Sequence, residues 1–242
     1  MNPAKTGHRY AFAQSPCGGV ALALGQARVV LRPSGALWLA EERVLIAADL
    51  HLEKGSAYAA RGQMLPPYDT RETLARLTAE AALLLPRAIV LLGDSFHDRK
   101  AEGRLAEEDI RTLTTIASVT QLIWVVGNHD ADGPATLPGA VVADWTVAGL
   151  RLVHEPLEGA LPGEVAGHLH PCARVKARAA SVRRRCFITD GERLILPAFG
   201  AYAGGLNVMD AAFSRLFART PLTVALGDRR AHAVGWESLG PD

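Results

Sequence analysis

Short, continuous apolar runs alternate along this chain with polar stretches that hold most of its histidines. Val44–Ala48 (VLIAA), Ala88–Leu92 (AIVLL) and Leu122–Val126 (LIWVV) are five-residue apolar blocks. Each predicts a strand buried on both faces. Between the first two, YDTRETLARLTAEAALL repeats apolar residues at helical intervals, with Asp69 and Glu72 in capping-box spacing. That pattern predicts a helix capped by Asp69. Leu105–Ala117 predicts a second helix, so the middle of the chain reads as stacked βαβ units. Upstream, Val20–Ala40 breaks its apolar stretches at GQ and PSG, which predicts an antiparallel meander. After Gly139, VVADWTVAGLRLVHE and RLILPAFG are short β-like segments separated by Gly and Pro. They predict a second sheet rather than further βαβ units. With no internal repeat or linker, the expectation is one α/β domain over residues 1–242, two sheets with helices outside.

Composition narrows the function without naming it. The 242 residues are 49% hydrophobic, enough for a substantial core. Lys plus Arg number 26 against 25 Asp plus Glu, so affinity for a polyanion must come from a local patch. The three cysteines, Cys17, Cys172 and Cys186, form no CxxC pair, which argues against a disulfide framework or a thiolate zinc site. No apolar run reaches the roughly 18 residues that span a bilayer, and MNPAKTGHRY lacks the layout of a secretion signal. A cytoplasmic protein without a membrane partner is expected.

The polar residues after the strands carry the chemistry. Asp49-Leu50-His51 follows VLIAA, Gly93-Asp94-Ser95-Phe96-His97-Asp98 follows IVLL, and Gly127-Asn128-His129-Asp130 follows LIWVV. His154 follows RLV, and Gly167-His168-Leu169-His170 follows EVA. Of eight histidines only His8 and His232 fall outside these five clusters. Taken singly, each cluster is also what a helix cap, a turn or a core histidine would look like. Taken together they supply carboxylate, imidazole and amide oxygen donors without thiolate, a set that suits Mn²⁺ or Fe²⁺ better than structural zinc. Two such ions need a bridging carboxylate, and Asp94 is the candidate; the pair would clamp a phosphoryl group and generate a hydroxide nucleophile.

The ordered motifs DLH, GDSFHD, GNHD, a lone His and GHLH resemble the calcineurin-like metallophosphoesterase superfamily. That resemblance implies a four-layer αββα sandwich, two mixed β-sheets flanked by helices. It implies one metal held by Asp49, His51, Asp94 and His170, and another by Asp94, Asn128, His154 and His168. Mn²⁺ is the leading ion, with Fe²⁺, Co²⁺ or Zn²⁺ as alternatives. His129 matches the family's catalytic histidine, a general acid for the leaving oxygen. The phosphatase branch has Asp and Arg where this chain has His97 and Asp98. The GD-x-F-H pattern is instead similar to the nuclease branch, in which that histidine assists phosphodiester cleavage; otherwise His97 orients His129. Asp98 is a further nearby base.

The runs DLHLEKGSAYAARGQMLPPYDTRETL and LPAFGAYAGGL, with GHLHP, resemble the bacterial ligase-associated DNA-damage-response endonucleases. This implies Mn²⁺-dependent endonuclease or phosphodiesterase action on DNA, in DNA repair and in functional association with a DNA ligase and a helicase; single-stranded DNA is the expected partner. The residues add a basic run, ARVKARAASVRRR, with Arg174, Lys176, Arg178, Arg183, Arg184 and Arg185 and no acid among them. It is either a groove for a phosphate backbone or a solvated hairpin face. Lys54 and Arg61 would extend the groove, and Tyr58 and Phe96 either stack on bases or pack in the core. A small-molecule phosphodiesterase or phosphomonoesterase, and a metal-free interaction scaffold, are the rival readings.

Overall fold

The structure, a computed structural model, describes residues 10–63, 65–176 and 180–242. Arg178 of the basic run lies outside the described residues. Eight strands build the first sheet in chain order: β1 (Phe12–Gln14), β2 (Val20–Leu24), β3 (Ala27–Leu31), β4 (Leu37–Leu39), β5 (Val44–Ala48), β6 (Ala88–Leu92), β7 (Gln121–Val125) and β8 (Ala140–Val142). The meander β1–β5 is antiparallel, as its turn signals require. From β5 to β8 the pairing is parallel. The segment at Ala140–Val142, expected in the second sheet, instead pairs with β7, because Ile123 to Val125 offer it a free edge.

The second sheet comprises β9 (Trp145–Val147), β10 (Leu150–Val153), β11 (Glu164–Ala166), β12 (Cys172–Lys176), β13 (Ser181–Thr189), β14 (Leu194–Ile195), β15 (Leu222–Leu226), β16 (Ala231–Val234) and β17 (Leu239–Gly240). Its order is β16-β15-β13-β14-β11-β10-β9, with β12 joined to β13 and β17. The basic run therefore spans the β12–β13 hairpin, where Arg174 sits opposite Arg183.

Alternation along the strands sets the layers. Val44, Ile46 and Ala48 turn into a core shared with Leu152, Val165, Phe187 and Val224 of the other sheet. Leu45, Ala47, Ile89 and Leu91 face the opposite way, onto two helices. These are α2 (Asp69–Leu84) and α3 (Glu107–Val119), preceded by the short α1 (Lys54–Ala59). Buried Thr70, Thr73, Leu74, Leu77 and Glu80 recur at three- and four-residue steps and give α2 one core-facing stripe. It ends at Leu85, whose left-handed backbone (φ 48°) is followed by Pro86. Helix α3 starts at Glu107, two residues later than the periodicity predicts, since Leu105 is extended and ends a 3-10 turn.

The two-sheet α/β sandwich is as expected. The layer over the second sheet's outer face differs: Val208, Phe213 and Leu216, on coil around the 3-10 turn Ala211–Phe213, cover it in place of an α-helix. Asp69 also differs from expectation. It lies inside α2 and its carboxylate accepts from the Gly55 amide at 3.0 Å, so it fastens α1 rather than capping its own helix.

Candidate metal centre

The strand ends converge at one edge of the sandwich. Ring and carboxylate atoms of Asp49, His51 and His170 fall within 4.8 Å of one another, as do those of Asp94, His154 and His168. Asp94 faces both groups. Its Oδ1 lies 3.4 Å from His154 Nε2, and its Oδ2 lies 4.0 Å from His51 Nε2. Asn128 joins the second group, with Oδ1 2.9 Å from His154 Nε2. Asp49 spans the centre from behind, 3.3 Å from His170 Nε2 and 3.6 Å from His154 Nδ1, while the His168 amide donates to its carboxylate. All seven ligands expected from the sequence are thus brought together.

The backbone is bent to achieve this. Nine non-glycine described residues have positive φ, and Asp49, His51, Asp94, His168 and His170 are five of them. A left-handed conformation costs such residues of order 1–3 kcal/mol each, so its concentration here marks a site held in tension by the surrounding sheets. Close approach needs glycine too. A Cβ on Gly93, which has φ +69°, would lie 2.1 Å from His154 Nδ1, and one on Gly127 would lie 2.2 Å from the Asp94 amide. Gly93→Ala is expected to displace His154, lower the metal content below two ions per chain and destabilise the fold by about 2–4 kcal/mol. Elemental analysis and thermal unfolding check this; wild-type values of both would refute it.

The donors fit divalent cations. His51 Nε2 and His170 Nε2 stand 3.2 Å apart, and His154 Nε2 and His168 Nδ1 also stand 3.2 Å apart. Imidazole lone pairs so placed need a cation or a proton between them. Burial, and then the neighbouring His170, press His51 down to about 3, so its ring is neutral and ready to ligate. Burial opposes a charge on Asp94, but the His154 hydrogen bond and charge and the His129 amide outweigh it, leaving its carboxyl at about 2. Burial likewise opposes a charge on His154, and Asp94 and Asp49 overcome it, raising its pKa.

Beside the ligands stands a second histidine cluster. His51, His97 and His129 bring ring nitrogens within 4.8 Å, and the His97 and His129 rings stack at 5.7 Å. His129 is oriented by the backbone carbonyl of His97, which accepts from Nδ1 at 2.8 Å, and not by the His97 ring. That bond leaves Nε2 of His129, 3.9 Å from Asp94 Oδ2, as the end that faces the centre. Burial, Lys54 and His129 lower the pKa of His97, favouring its neutral ring.

Asp98 departs from the expected role of a base. Arg104 grips both of its oxygens, at 3.0 and 2.9 Å, so the carboxylate ties down its loop. Arg104 itself reaches Ser56 and the Glu53 carbonyl, linking that loop to α1. Lys54 Nζ donates to the Tyr202 carbonyl and lies 5.9 Å from the Tyr58 ring, which in turn sits 5.9 Å from His97. Arg61 is exposed on the turn after α1. Phe96 is buried against Trp124 at 5.7 Å, so it is core. Arg174 bonds Ser181, Lys176 is exposed beside Gly240, and Arg183 pairs with Asp242 at 3.0 Å. Arg185 reaches the segment 198–200, donating to the carbonyls of Ala198, Phe199 and Gly200, while Arg184 is exposed.

Sequence reasoning passed over Asp130. It is buried, accepts from the amides of Gly127, Ser95 and Phe96, and so locks the GNHD and GDSF loops together. Its place at the end of GNHD was the available signal. Glu102 was missed as well; it accepts from the amides of Ala135, Thr136 and Leu137 and orders the loop beyond His129.

A profile of the calcineurin-like phosphoesterase family matches residues 42–174. Among solved structures the chain is similar to nuclease MPE of Pseudomonas putida, at 25% identity and a TM-score of 0.68, over 89% of this chain and 100% of that one. It is also similar to Yfce, a phosphoesterase from E. coli, at 15% identity and a TM-score of 0.40, over 79% and 97%. A comparison with curated proteins found no match.

Proposed function

The chain belongs to the calcineurin-like phosphoesterase family, and from that premise we propose that this hydrolase of phosphoester bonds is a dinuclear, Mn²⁺-dependent nuclease that cuts DNA strands during repair. Asp49, His51, Asp94 and His170 would hold one cation, and Asp94, Asn128, His154 and His168 the other. When bound, such a pair polarises the phosphoryl oxygens and makes water nucleophilic near neutral pH.

The protein's own groups do the rest. His129, with Nδ1–H donated to the His97 carbonyl, presents Nε2 to the departing oxygen and gives it a proton. His97 remains neutral and walls the site beside His129. Asp98 acts through Arg104, holding the loop that carries His97. Tyr58 offers an aromatic face to an unpaired base, which favours a single strand, and Lys54 and Arg61 add positive charge at the same margin.

One observation carries the diester reading: His97 stacks against His129 at the mouth of the centre, where the phosphatase pattern places Asp. The similarity to a nuclease supports a nucleic acid as the polymer, and DNA follows from the sequence resemblance. A ligase and a helicase as functional associates follow from the sequence resemblance, and a cytoplasmic setting from the composition of the chain.

The test is a substrate panel with Mn²⁺-loaded protein: a single-stranded oligonucleotide, its duplex, a cyclic nucleotide and a phosphomonoester. Cleavage of the single strand at about tenfold or more the rate of the others supports the proposal. Rapid hydrolysis of the cyclic nucleotide or monoester, with DNA left intact, would replace it with the small-molecule reading.

A further inference from the structure

A second concave site lies behind the metal centre. The segment 198–200 separates the two. On one side the Phe199 and Gly200 amides donate to the carbonyls of Ala48 and Asp49, where β5 delivers its ligands. On the other side the carbonyls of the same segment receive two arginines. Arg76 of α2 donates to Phe199 O at 2.7 Å, and Arg185 of β13 donates to Ala198, Phe199 and Gly200. Two guanidinium groups from residues 109 positions apart therefore share one carbonyl oxygen.

Beyond them opens a cavity of about 680 Å³. Its charged wall comprises Arg32, Arg76, Arg183, Arg184, Arg185 and Arg229 against two acids, Glu80 and Asp228. Arg32 is neutralised by Glu80 at 2.9 Å. Among the described residues no carboxylate comes within 4.0 Å of Arg76, Arg184 or Arg185. Arg76 Nε is buried and has no hydrogen-bond partner. The strap carbonyls, the Phe199 ring 4.7 Å from Arg76 Cζ and the Glu72 carboxylate, which lies beyond ion-pair distance, offset the two half-buried like charges of Arg76 and Arg185 in part, and an anion in the cleft would answer the rest. The planar fork of arginine suits phosphate oxygens, which two such forks can grip from both sides.

We propose that this cleft, with Arg76 and Arg185 at its floor and Arg184 at its rim, binds a backbone phosphodiester of the nucleic-acid strand that is cut at the metal centre. The inference rests on the nuclease reading for its ligand and on the arginine geometry for its place. It converts part of the basic run into a built subsite, while Arg183, paired with Asp242, is spent on structure. The strap between the sites would then couple them, since an anion drawing on Arg76 and Arg185 shifts the carbonyls whose amides hold Asp49.

The experiment measures equilibrium binding of a fluorescent single-stranded oligonucleotide to metal-free full-length protein, with inorganic phosphate as a separate arm. Binding without metal does not depend on cleavage, so wild-type protein that binds the strand but does not cut it once loaded with Mn²⁺ sinks the nuclease reading and spares the cleft. The Arg76→Gln/Arg185→Gln double variant should bind at least about tenfold more weakly, with a salt slope shallower by about two. The rim variant Arg184→Gln, on an exposed side chain that threatens no fold, should flatten the slope by about one. Retained uptake of two Mn²⁺ ions by the double variant confirms that the strap still holds Asp49. Oligonucleotide affinity and salt slope unchanged in both variants would overturn the proposal. So would variants that lose inorganic phosphate while binding the strand as wild type does, which would make the cleft a free-phosphate site only.

Discussion

Asp94→Asn is expected to leave fewer than two metal ions on each chain and to lower phosphodiester turnover by about 10³-fold or more. The substitution keeps the shape of the side chain and changes its charge and one of its two acceptors. Both oxygens are in use: Oδ1 accepts from the His129 amide at 2.9 Å and faces His154, while Oδ2 faces His51 and His129. An amide at this place puts N–H donors either against the His129 amide or toward the cations, and it removes the negative charge shared between the two ligand groups. Removing one buried partner from such a cluster costs more than the interaction it made, because the others lose their compensation. Elemental analysis and turnover at saturating Mn²⁺ measure the two effects separately. Two ions retained with turnover within tenfold of wild type would show that Asp94 does not bridge.

His129→Ala should behave in the opposite way, keeping both ions and losing about 10²–10⁴-fold in turnover. The ring belongs to neither ligand group around Asp49 and Asp94. It is anchored instead through Nδ1 to the His97 carbonyl, and its side chain is 41% exposed, open enough for substrate to reach. A general acid matters in proportion to how badly the leaving group needs its proton. The loss should therefore be severe for DNA, which expels a basic alkoxide, and slight for a bis(p-nitrophenyl) diester, whose phenolate departs unaided. An equal loss on both substrates would take the proton-donor role away from His129.

Much of this centre is readable from the chain because its parts are local. A buried parallel strand announces itself as an apolar block, and the residues just beyond it must emerge at the sheet edge, so DLH, GDSFHD and GNHD declare both chemistry and position. The glycines before Asp94 and Asn128 are legible for the same reason, as the only residues that admit His154 and the Asp94 backbone so closely. Asp69 shows where local reading misleads. Its spacing to Glu72 suits a capping box, yet tertiary packing gives its carboxylate a partner in another helix, Gly55. Asp98 misleads likewise, since the arginine that occupies it arrives from beyond the motif.

The apolar strands, the α2 stripe and the edge on which the polar clusters gather were legible in the chain, because each follows from spacing within a few residues; the seven candidate donors came from the family resemblance of those clusters. That Ala140–Val142 joins the first sheet, that a carbonyl of His97 sets the His129 ring, and that Arg76 meets Arg185 at Phe199 emerged with the folded chain. Those contacts join residues tens to more than a hundred positions apart. No local period encodes them; they exist where two sheets packed on one core bring their loops to the same edge.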